Sequence, residues 1–256
     1  MIDHPTTMTT MTTTDRREFY RATFDRFVAN TDGKEKLAQE IAAIARSMKA
    51  ARLLDLGAGN GVLTRLVSPH FQTIVAVEQN RAFEASLALI PNAVPVISRI
   101  EDYVPVEPPD IVLMSYSLDG IPGERLGATM TTLASHLAPG GKVLFVTYED
   151  DCPWDRYIDP VYRALGIPRT GGARRHLEDL QRAGFEARRL ASVDGFIWAQ
   201  DKAALYDVLG FFFIDAIDGY HASRPELEDL LAGIIETLPD GRVALRAVEC
   251  VFEIVV

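Results

Sequence analysis

The chain has 256 residues, of which 48% are hydrophobic and 24% are charged, and its formal net charge is −10. These proportions are those of an ordinary globular protein, which excludes intrinsically disordered, collagen-like and coiled-coil chains. Proteins that grip phosphate backbones carry a basic face, so we expect this acidic chain to have no nucleic-acid partner.

Membrane, disulfide and metal signals are weak along the chain. The apolar runs are shorter than the roughly 20 residues that cross a bilayer, and no signal-peptide core follows Met1, which predicts a cytoplasmic protein without a membrane partner. Cys152 and Cys250 are too few for a disulfide framework or a Cys-rich zinc site. We predict no metal site and assign no chemistry to four histidines without ligand spacing or a paired partner: His70, His136, His176 and His221.

The N-terminal region divides into a leader and two helices. Residues 1–14 are mostly threonine and methionine without an apolar period, so we predict a disordered leader. Apolar side chains then recur at steps of three and four residues, from Phe19 to Val28 and again from Leu37 to Met48, as along one face of a helix. These stretches predict an N-terminal helix pair within residues 15–50.

Short apolar runs alternate with helical patterns over residues 51–150. Their near-continuous apolarity is typical of strands that are covered on both faces in a parallel sheet. Five β-α units in series predict a doubly wound, Rossmann-like α/β sheet. The predicted strands are residues 53–56, 73–77, 94–97, 111–115 and 143–148.

The pattern over residues 151–256 is less regular. The predicted elements there are helices over 154–165, 174–183 and 201–214, a helix starting at Ser223, and strands over 186–198 and 242–256. Two late strands that flank a helical insertion would form an antiparallel C-terminal edge and a helical lid on the substrate side. Because no repeat or linker interrupts the chain, we expect residues 15–256 to form a single domain.

The most informative stretch joins the first predicted strand to a glycine-rich turn, Leu53-Leu54-Asp55-Leu56-Gly57-Ala58-Gly59-Asn60-Gly61. Glycines allow a tight turn that brings the backbone against a ligand at the strand's carboxyl end, where doubly wound sheets bind. A dinucleotide fingerprint would place its third glycine at Val62, whereas this chain has it at Gly61. Glu78 ends the second predicted strand, where a carboxylate can accept both hydroxyls of a ribose.

These residues resemble the first two motifs of class I S-adenosylmethionine-dependent methyltransferases. The resemblance implies that the glycines contact the methionine part of the cofactor and that Glu78 binds its ribose. It places adenine contacts after the third strand and puts the end of the fourth strand beside the sulfonium. The implied S-adenosylmethionine-binding residues are Asp55, Gly57, Ala58, Gly59, Gly61, Glu78, Gln79, Ile100, Glu101 and Ser115.

A second resemblance, to histamine N-methyltransferase-like small-molecule methyltransferases, rests on residues spread along most of the chain. They are Tyr20 through Phe27, Asn30-Thr31, the glycine motif, Trp154-Asp155 and the closing segment 251–255. The resemblance implies that the helix pair lies over the active site as a lid and that the late insertion completes an aromatic pocket. The polar positions that hold substrate in that family are not kept, which argues against histamine itself. They fall near Gly33 with Asp32 beside it, at Tyr116, and at Val248 with Glu249 beside it.

Methyl transfer is an in-line displacement on a sulfonium, so the acceptor needs alignment and, for an amine, a group that takes its proton. Tyr116 and Asp119 lie just past the fourth strand and are the predicted catalytic residues, with a turn cap before Gly120 as the alternative role of Asp119. The predicted substrate-binding residues are carboxylates and aromatic rings, both of which attract cations. They are Tyr20, Phe24, Asp32, Tyr116, Trp154, Trp198, Phe212 and Glu249.

We therefore expect a methyltransferase for a small aromatic or nitrogen-containing metabolite, with nitrogen as the favoured acceptor atom. Carbon methylation of an indole-type ring and oxygen methylation are the alternatives within enzymes. A protein that binds the cofactor without catalysis and uses its lid helices as an interaction surface is the alternative outside them. The sequence leaves monomer and homodimer equally open.

Overall fold

The computed structural model describes residues 13–255, with side chains from Asp15 to Val255. These residues form two compact units, which we call the helical unit and the sheet unit. The helical unit contains the described residues up to Thr31 together with Asp151–Arg169 and Phe196–Ala247, and the sheet unit contains Asp32–Asp150, Thr170–Gly195 and residues 248–255. The predicted segments 15–50 and 151–256 each contribute to both units, so the division cuts across them.

The sheet has eight strands within the described residues, in the order β3-β2-β1-β4-β5-β8-β6, with β7 paired to β8. Strands β1 to β5 are parallel, whereas β8 runs antiparallel to β5, with Phe145 opposite Phe252. The predicted mostly parallel sheet with an antiparallel C-terminal edge is confirmed. The strands are β1 (Arg52–Leu56), β2 (Thr73–Glu78), β3 (Ala93–Ile97), β4 (Ile111–Ser115), β5 (Lys142–Tyr148), β6 (Glu186–Ala199), β7 (Glu236–Thr237) and β8 (Val243–Val255).

The helices of the sheet unit cover both faces of the parallel strands. Leu54 and Phe145 belong to one apolar layer, with residues of α5 and α7, while Leu53 and Leu144 belong to the other, with residues of α2 and α3. Neighbouring residues of one strand point to opposite faces, so burial of both faces explains the continuous apolar runs of β1, β4 and β5. The edge strand β3 has no fully buried residue. These helices are α2 (Gly33–Met48), α3 (Val62–Val67), α4 (Glu84–Leu87), α5 (Gly123–His136) and α7 (Ala173–Arg182).

The helical unit begins with α1, which starts at Thr13. Residues 1–12 of the predicted leader lie outside the described residues, whereas Thr13 and Thr14 belong to α1, so the leader prediction is wrong at these two positions. The other helices of this unit are α6 (Pro153–Leu165), α8 (Lys202–Leu209), α9 (Ile217–Ala222) and α10 (Arg224–Ala232).

The helix predicted over 201–214 is wrong in its second half. Helix α8 ends at Leu209, and Gly210–Ala216 forms a 3-10 segment in which Phe213 has a non-helical φ of −121°. This break sends the consecutive phenylalanines in different directions: Phe211 packs on Phe24 and Phe27, whereas Phe213 packs on Tyr162 and Tyr220. Since one helix face cannot bury three adjacent rings, the irregular backbone lets each ring find its own contacts.

Cys152 and Cys250 are buried free thiols. Between residues 13 and 255, no helix is both long and apolar enough to cross a membrane. Over the same range, no group of three or more histidine, cysteine, aspartate or glutamate side chains is arranged to hold a metal ion.

Candidate active site

The turn after β1 needs glycine for two reasons. Gly57, Gly59 and Gly61 have φ angles of +79°, +56° and +78°, a region that L side chains rarely adopt. Packing adds a second constraint, because a Cβ on Gly57 would overlap Ser117, and a Cβ on Gly61 would lie 2.8 Å from Leu87 Cδ2. We call residues 57–61 the glycine loop. It lies at the carboxyl end of β1, between β2 and β4 in the sheet order.

Glu78 is held against the glycine loop at the carboxyl end of β2. Its Oε2 accepts the backbone N–H of Gly59 at 2.9 Å, and its Oε1 accepts that of Asn80 at 2.7 Å. Burial raises the pKa of the carboxyl group, and the backbone hydrogen bonds oppose this shift. A carboxylate has about four lone-pair sites, so Glu78 can also accept a hydrogen bond from a ligand hydroxyl.

The other predicted cofactor residues have different surroundings. Ile100 is buried in the apolar layer, and Glu101 beside it pairs with Arg99 Nε at 2.6 Å. Asp55 is turned away from the loop, since its Oδ2 accepts the hydroxyl of Thr64 in α3 at 2.6 Å. Burial raises the pKa of Asp55 to about 6. Ala58 is partly buried beside the loop's apolar neighbours, whereas Gln79 is exposed.

The two residues that follow β4 contact a buried carboxylate and the glycine loop, respectively. Tyr116 has a φ of +56°, and its hydroxyl donates to Glu249 Oε1 on β8. Glu249 is 3% exposed, and its Oε2 is buried with no hydrogen-bond partner among the described residues. The next residue, Ser117, donates from Oγ to the carbonyl of Leu56 at 2.6 Å. One short loop thus contacts both the glycine loop and Glu249.

Sequence reasoning missed Lys34, which is buried beside this pair. Lys34 is 7% exposed, and its Nζ lies 4.1 Å from the centroid of the Tyr116 ring. Burial lowers the pKa of Lys34 to about 8, while the charges of Glu249 and Asp55 oppose that shift. A lysine in the first turn of an amphipathic helix normally reads as a solvated residue. The only available signal was its position next to Gly33, where the second resemblance aligns a substrate-binding side chain.

Asp119 and the buried His176 form a pair that the sequence did not predict. His176 Nε2 lies 2.6 Å from Asp119 Oδ1, which also accepts the backbone N–H of Gly171 at 3.0 Å. The ring of His176 is buried and packs edge-on against Phe145. The expectation that His176 has no paired partner is therefore wrong. The pair leaves no local sign in the sequence, because 57 residues separate its two members. Asp119 ties the segment after β4 to the start of α7.

The predicted substrate-binding residues fall into separate groups. In the sheet unit, Tyr116 and Glu249 are in contact, while Asp32 pairs with Lys36 at 2.7 Å on the first turn of α2. In the helical unit, Trp198 lies under the guanidinium of Arg242 at 4.6 Å. A continuous series of ring contacts in the helical unit joins Tyr20, Phe24, Phe27, Phe211, Phe212 and Trp154. The lid role of these aromatic residues stays a prediction.

Known proteins share both the sequence pattern and the fold. A family model described as a methyltransferase domain matches residues 15–190. The trans-aconitate 2-methyltransferase of Variovorax paradoxus (strain S110) is 32% identical over 124 residues, which are 47% of this chain and 47% of that protein. The match therefore spans about half the length of this curated relative.

Two solved structures show the same fold at low sequence identity. The YcgJ protein of Bacillus subtilis is 15% identical, with 83% of this chain and 96% of that chain covered and a TM-score of 0.53. A candidate type II methyltransferase from Anaeromyxobacter dehalogenans is 18% identical, with 83% and 94% covered and a TM-score of 0.54. Since the family model matches more than half of the chain, the chain belongs to the methyltransferase-domain family, as a class I S-adenosylmethionine-dependent member.

Proposed function

We propose that this protein methylates a nitrogen atom of a small nitrogen-containing metabolite, using S-adenosylmethionine as the methyl donor. One observation supports the choice of nitrogen. Glu249 is a buried carboxylate that accepts the hydroxyl of Tyr116 through Oε1, and its Oε2 has no hydrogen-bond partner in the described part of the chain. A carboxylate in this state attracts a cationic amine and can take its proton.

The residues around the glycine loop fit S-adenosylmethionine. The three glycines of the loop have positive φ angles, the Glu78 carboxylate accepts the N–H of Gly59, and Ser115 Oγ at the end of β4 is buried without a hydrogen-bond partner among the described residues. The glycine loop would hold the amino-acid part, Glu78 the ribose, and Ile100 the adenine. When bound, the cofactor supplies a methyl group on a positively charged sulfur.

The acceptor side has a division of roles. Burial and the Glu249 charge hold the pKa of Tyr116 well above its ordinary value, so its hydroxyl stays protonated and donates. Glu249 therefore keeps its fixed orientation through Oε1 and offers Oε2. Oε2 would take the proton of the acceptor's ammonium group, which would leave the nitrogen a lone pair for the methyl group that the cofactor would supply. Alignment of the reacting atoms supplies much of the rate in such displacements.

Methylation of a carboxylate oxygen is the second candidate. The partial match to a trans-aconitate 2-methyltransferase favours it, and the buried ammonium of Lys34 supplies a positive charge next to Tyr116. Against it, the same cluster contains two carboxylates, Asp55 and Glu249, which would repel an anionic acceptor. Carbon methylation of an indole-type ring stays a prediction from the sequence.

A panel of acceptors separates these candidates. Small amines, indoles, phenols and carboxylates are incubated with the protein and S-adenosylmethionine, and mass spectrometry records the methylated products. We expect products from amines, with activity falling at low pH as the acceptor and Glu249 gain protons. Methyl esters formed from carboxylates, with no N-methyl product, would replace the proposed function by the second candidate.

Replacement of Glu78 tests the cofactor site on its own. We expect Glu78→Ala to raise the dissociation constant of S-adenosylhomocysteine by about 10- to 100-fold, equivalent to about 1.5 to 3 kcal/mol for hydrogen bonds to a charged group. Glu78→Gln keeps an oxygen for the Gly59 or Asn80 amide and should weaken binding less. Calorimetry measures both constants. An unchanged constant in folded Glu78→Ala would remove Glu78 from the site.

A further inference from the structure

We propose that Lys34 is a positioning residue that keeps Glu249 ionised, so that Glu249 can take the acceptor's proton near neutral pH. This inference rests on the proposed function, because it assigns a role to Lys34 in the same acceptor site. Neither the family match nor the sequence pattern assigns Lys34 any role.

The contacts of Lys34 place one cation within a buried acidic cluster. Its ammonium stands over the ring of Tyr116, whose hydroxyl is bonded to Glu249. It interacts electrostatically with Glu249 on β8 and with Asp55 on β1. The backbone of Gly33 lies directly against the Glu249 carboxylate, because a Cβ there would overlap Oε2 and lie 2.6 Å from Oε1. The first turn of α2 thus seats Lys34 and Glu249 together.

The charges that face this cluster come from four places. Helix α2 and the residue before it contribute Asp32, Lys34, Glu35 and Lys36, and β1 contributes Asp55. The segment after β4 contributes the titratable Tyr116, and the end of β5 contributes Tyr148, whose ring lies 4.8 Å from that of Tyr116. Lys36 is largely engaged elsewhere, since it pairs with Asp32 and donates to the carbonyl of Asp194. Lys34 is therefore the buried cation of the cluster.

Burial works against an ionised Glu249. A carboxylate taken out of water favours its protonated form, and the nearby carboxylate of Asp32 strengthens that tendency for Glu249. An opposite charge within about 4 to 6 Å lowers a carboxyl pKa by about one to three units, which offsets part of the burial effect. If Lys34 is removed, Glu249 should keep its proton to higher pH and lose its ability to accept another.

The pH dependence of kcat/KM for an amine acceptor tests this role. In Lys34→Met we expect the acidic limb of the profile to move up by at least one pH unit, so that activity at pH 6 falls more than at pH 9. Lys34→Arg keeps the charge and should keep the limb in place. The matched control is Lys142→Met, which removes the lysine partner of Glu253, another glutamate of β8, and should leave the limb where it is.

Unfolding by urea gives a readout that does not depend on activity. A carboxyl group whose pKa is raised in the folded state binds more protons folded than unfolded, so stability falls as pH rises toward that pKa. We expect the urea midpoint of Lys34→Met to fall more between pH 5 and 8 than that of the wild type. Adding Glu249→Gln should remove most of this extra loss, whereas adding Asp55→Asn should remove less. If Lys34→Met folds only at pH 5, or only together with Glu249→Gln, that result also supports the proposal.

The proposal is overturned if folded Lys34→Met keeps the wild-type acidic limb, or if Glu249→Gln does not relieve its pH-dependent instability. These results are distinct from failure of the proposed function. If the acceptor proves to be a carboxylate, the urea experiment still reports on the link between Lys34 and Glu249, while the acceptor panel reports on the function.

Discussion

Glu249→Gln is expected to lower kcat/KM for an amine acceptor by about 100- to 10,000-fold, the usual contribution of a positioned general base. Glutamine has the same shape and keeps an oxygen for the Tyr116 hydroxyl, but it cannot take a proton. The dissociation constant of S-adenosylhomocysteine should stay near the wild-type value. Steady-state kinetics and calorimetry on the same preparation measure the two effects separately.

The pH profile sharpens this expectation. Burial raises the pKa of Glu249 above the ordinary value of 4.5, while the charge of Lys34 and the hydrogen bond from Tyr116 oppose the shift. A base acts when it is ionised, so wild-type activity should decline as pH falls through this raised pKa, and Glu249→Gln should lose that limb. Glu253→Gln is the control, because Glu253 lies on the same strand and pairs with Lys142 and Arg188. Full activity of Glu249→Gln would exclude Glu249 as the base.

Gly57→Ala is expected to lower the free energy of unfolding by about 2 to 5 kcal/mol, from backbone strain and overpacking together. The φ of +79° is unfavourable for alanine, and the added Cβ would overlap Ser117 Cβ and approach its Oγ at 2.9 Å. Relief of this clash must move the glycine loop or the segment after β4. We therefore also expect S-adenosylhomocysteine to bind more than 10-fold more weakly, as calorimetry would measure.

Two variants separate strain from collision at Gly57. Gly140 has a φ of +76° but open space around its missing Cβ, so Gly140→Ala should show the strain alone, about 1 to 2 kcal/mol, with unchanged cofactor binding. Ser117→Gly added to Gly57→Ala removes the colliding side chain and should restore part of the lost affinity. If Gly57→Ala binds S-adenosylhomocysteine as tightly as Gly140→Ala does, the loop does not hold the cofactor.

Local patterns were enough to predict the sheet and the glycine loop. Each of the five parallel strands was predicted to within a residue of its bounds, because each is a short run of mostly apolar residues bounded by turn residues. The glycine spacing predicted a tight turn after β1, and in the structure all three glycines have positive φ angles, which favour glycine. Both signals lie within a few neighbouring residues.

The acceptor site depended on contacts that only the tertiary structure brings together. Tyr116 and Glu249 are 133 residues apart, and Asp119 meets His176 across 57 residues. From the sequence, Asp119 was a predicted catalytic residue, whereas Asp32 and Glu249 were predicted only to bind substrate. The fold pairs Asp32 with Lys36, engages Asp119 with His176 and leaves Glu249 buried with a bare Oε2 among the described residues. The sequence did not predict the burial of Lys34. Whether a charged side chain is desolvated depends on the residues that pack on it in the folded protein, here Tyr116 among them, and not on its neighbours along the chain.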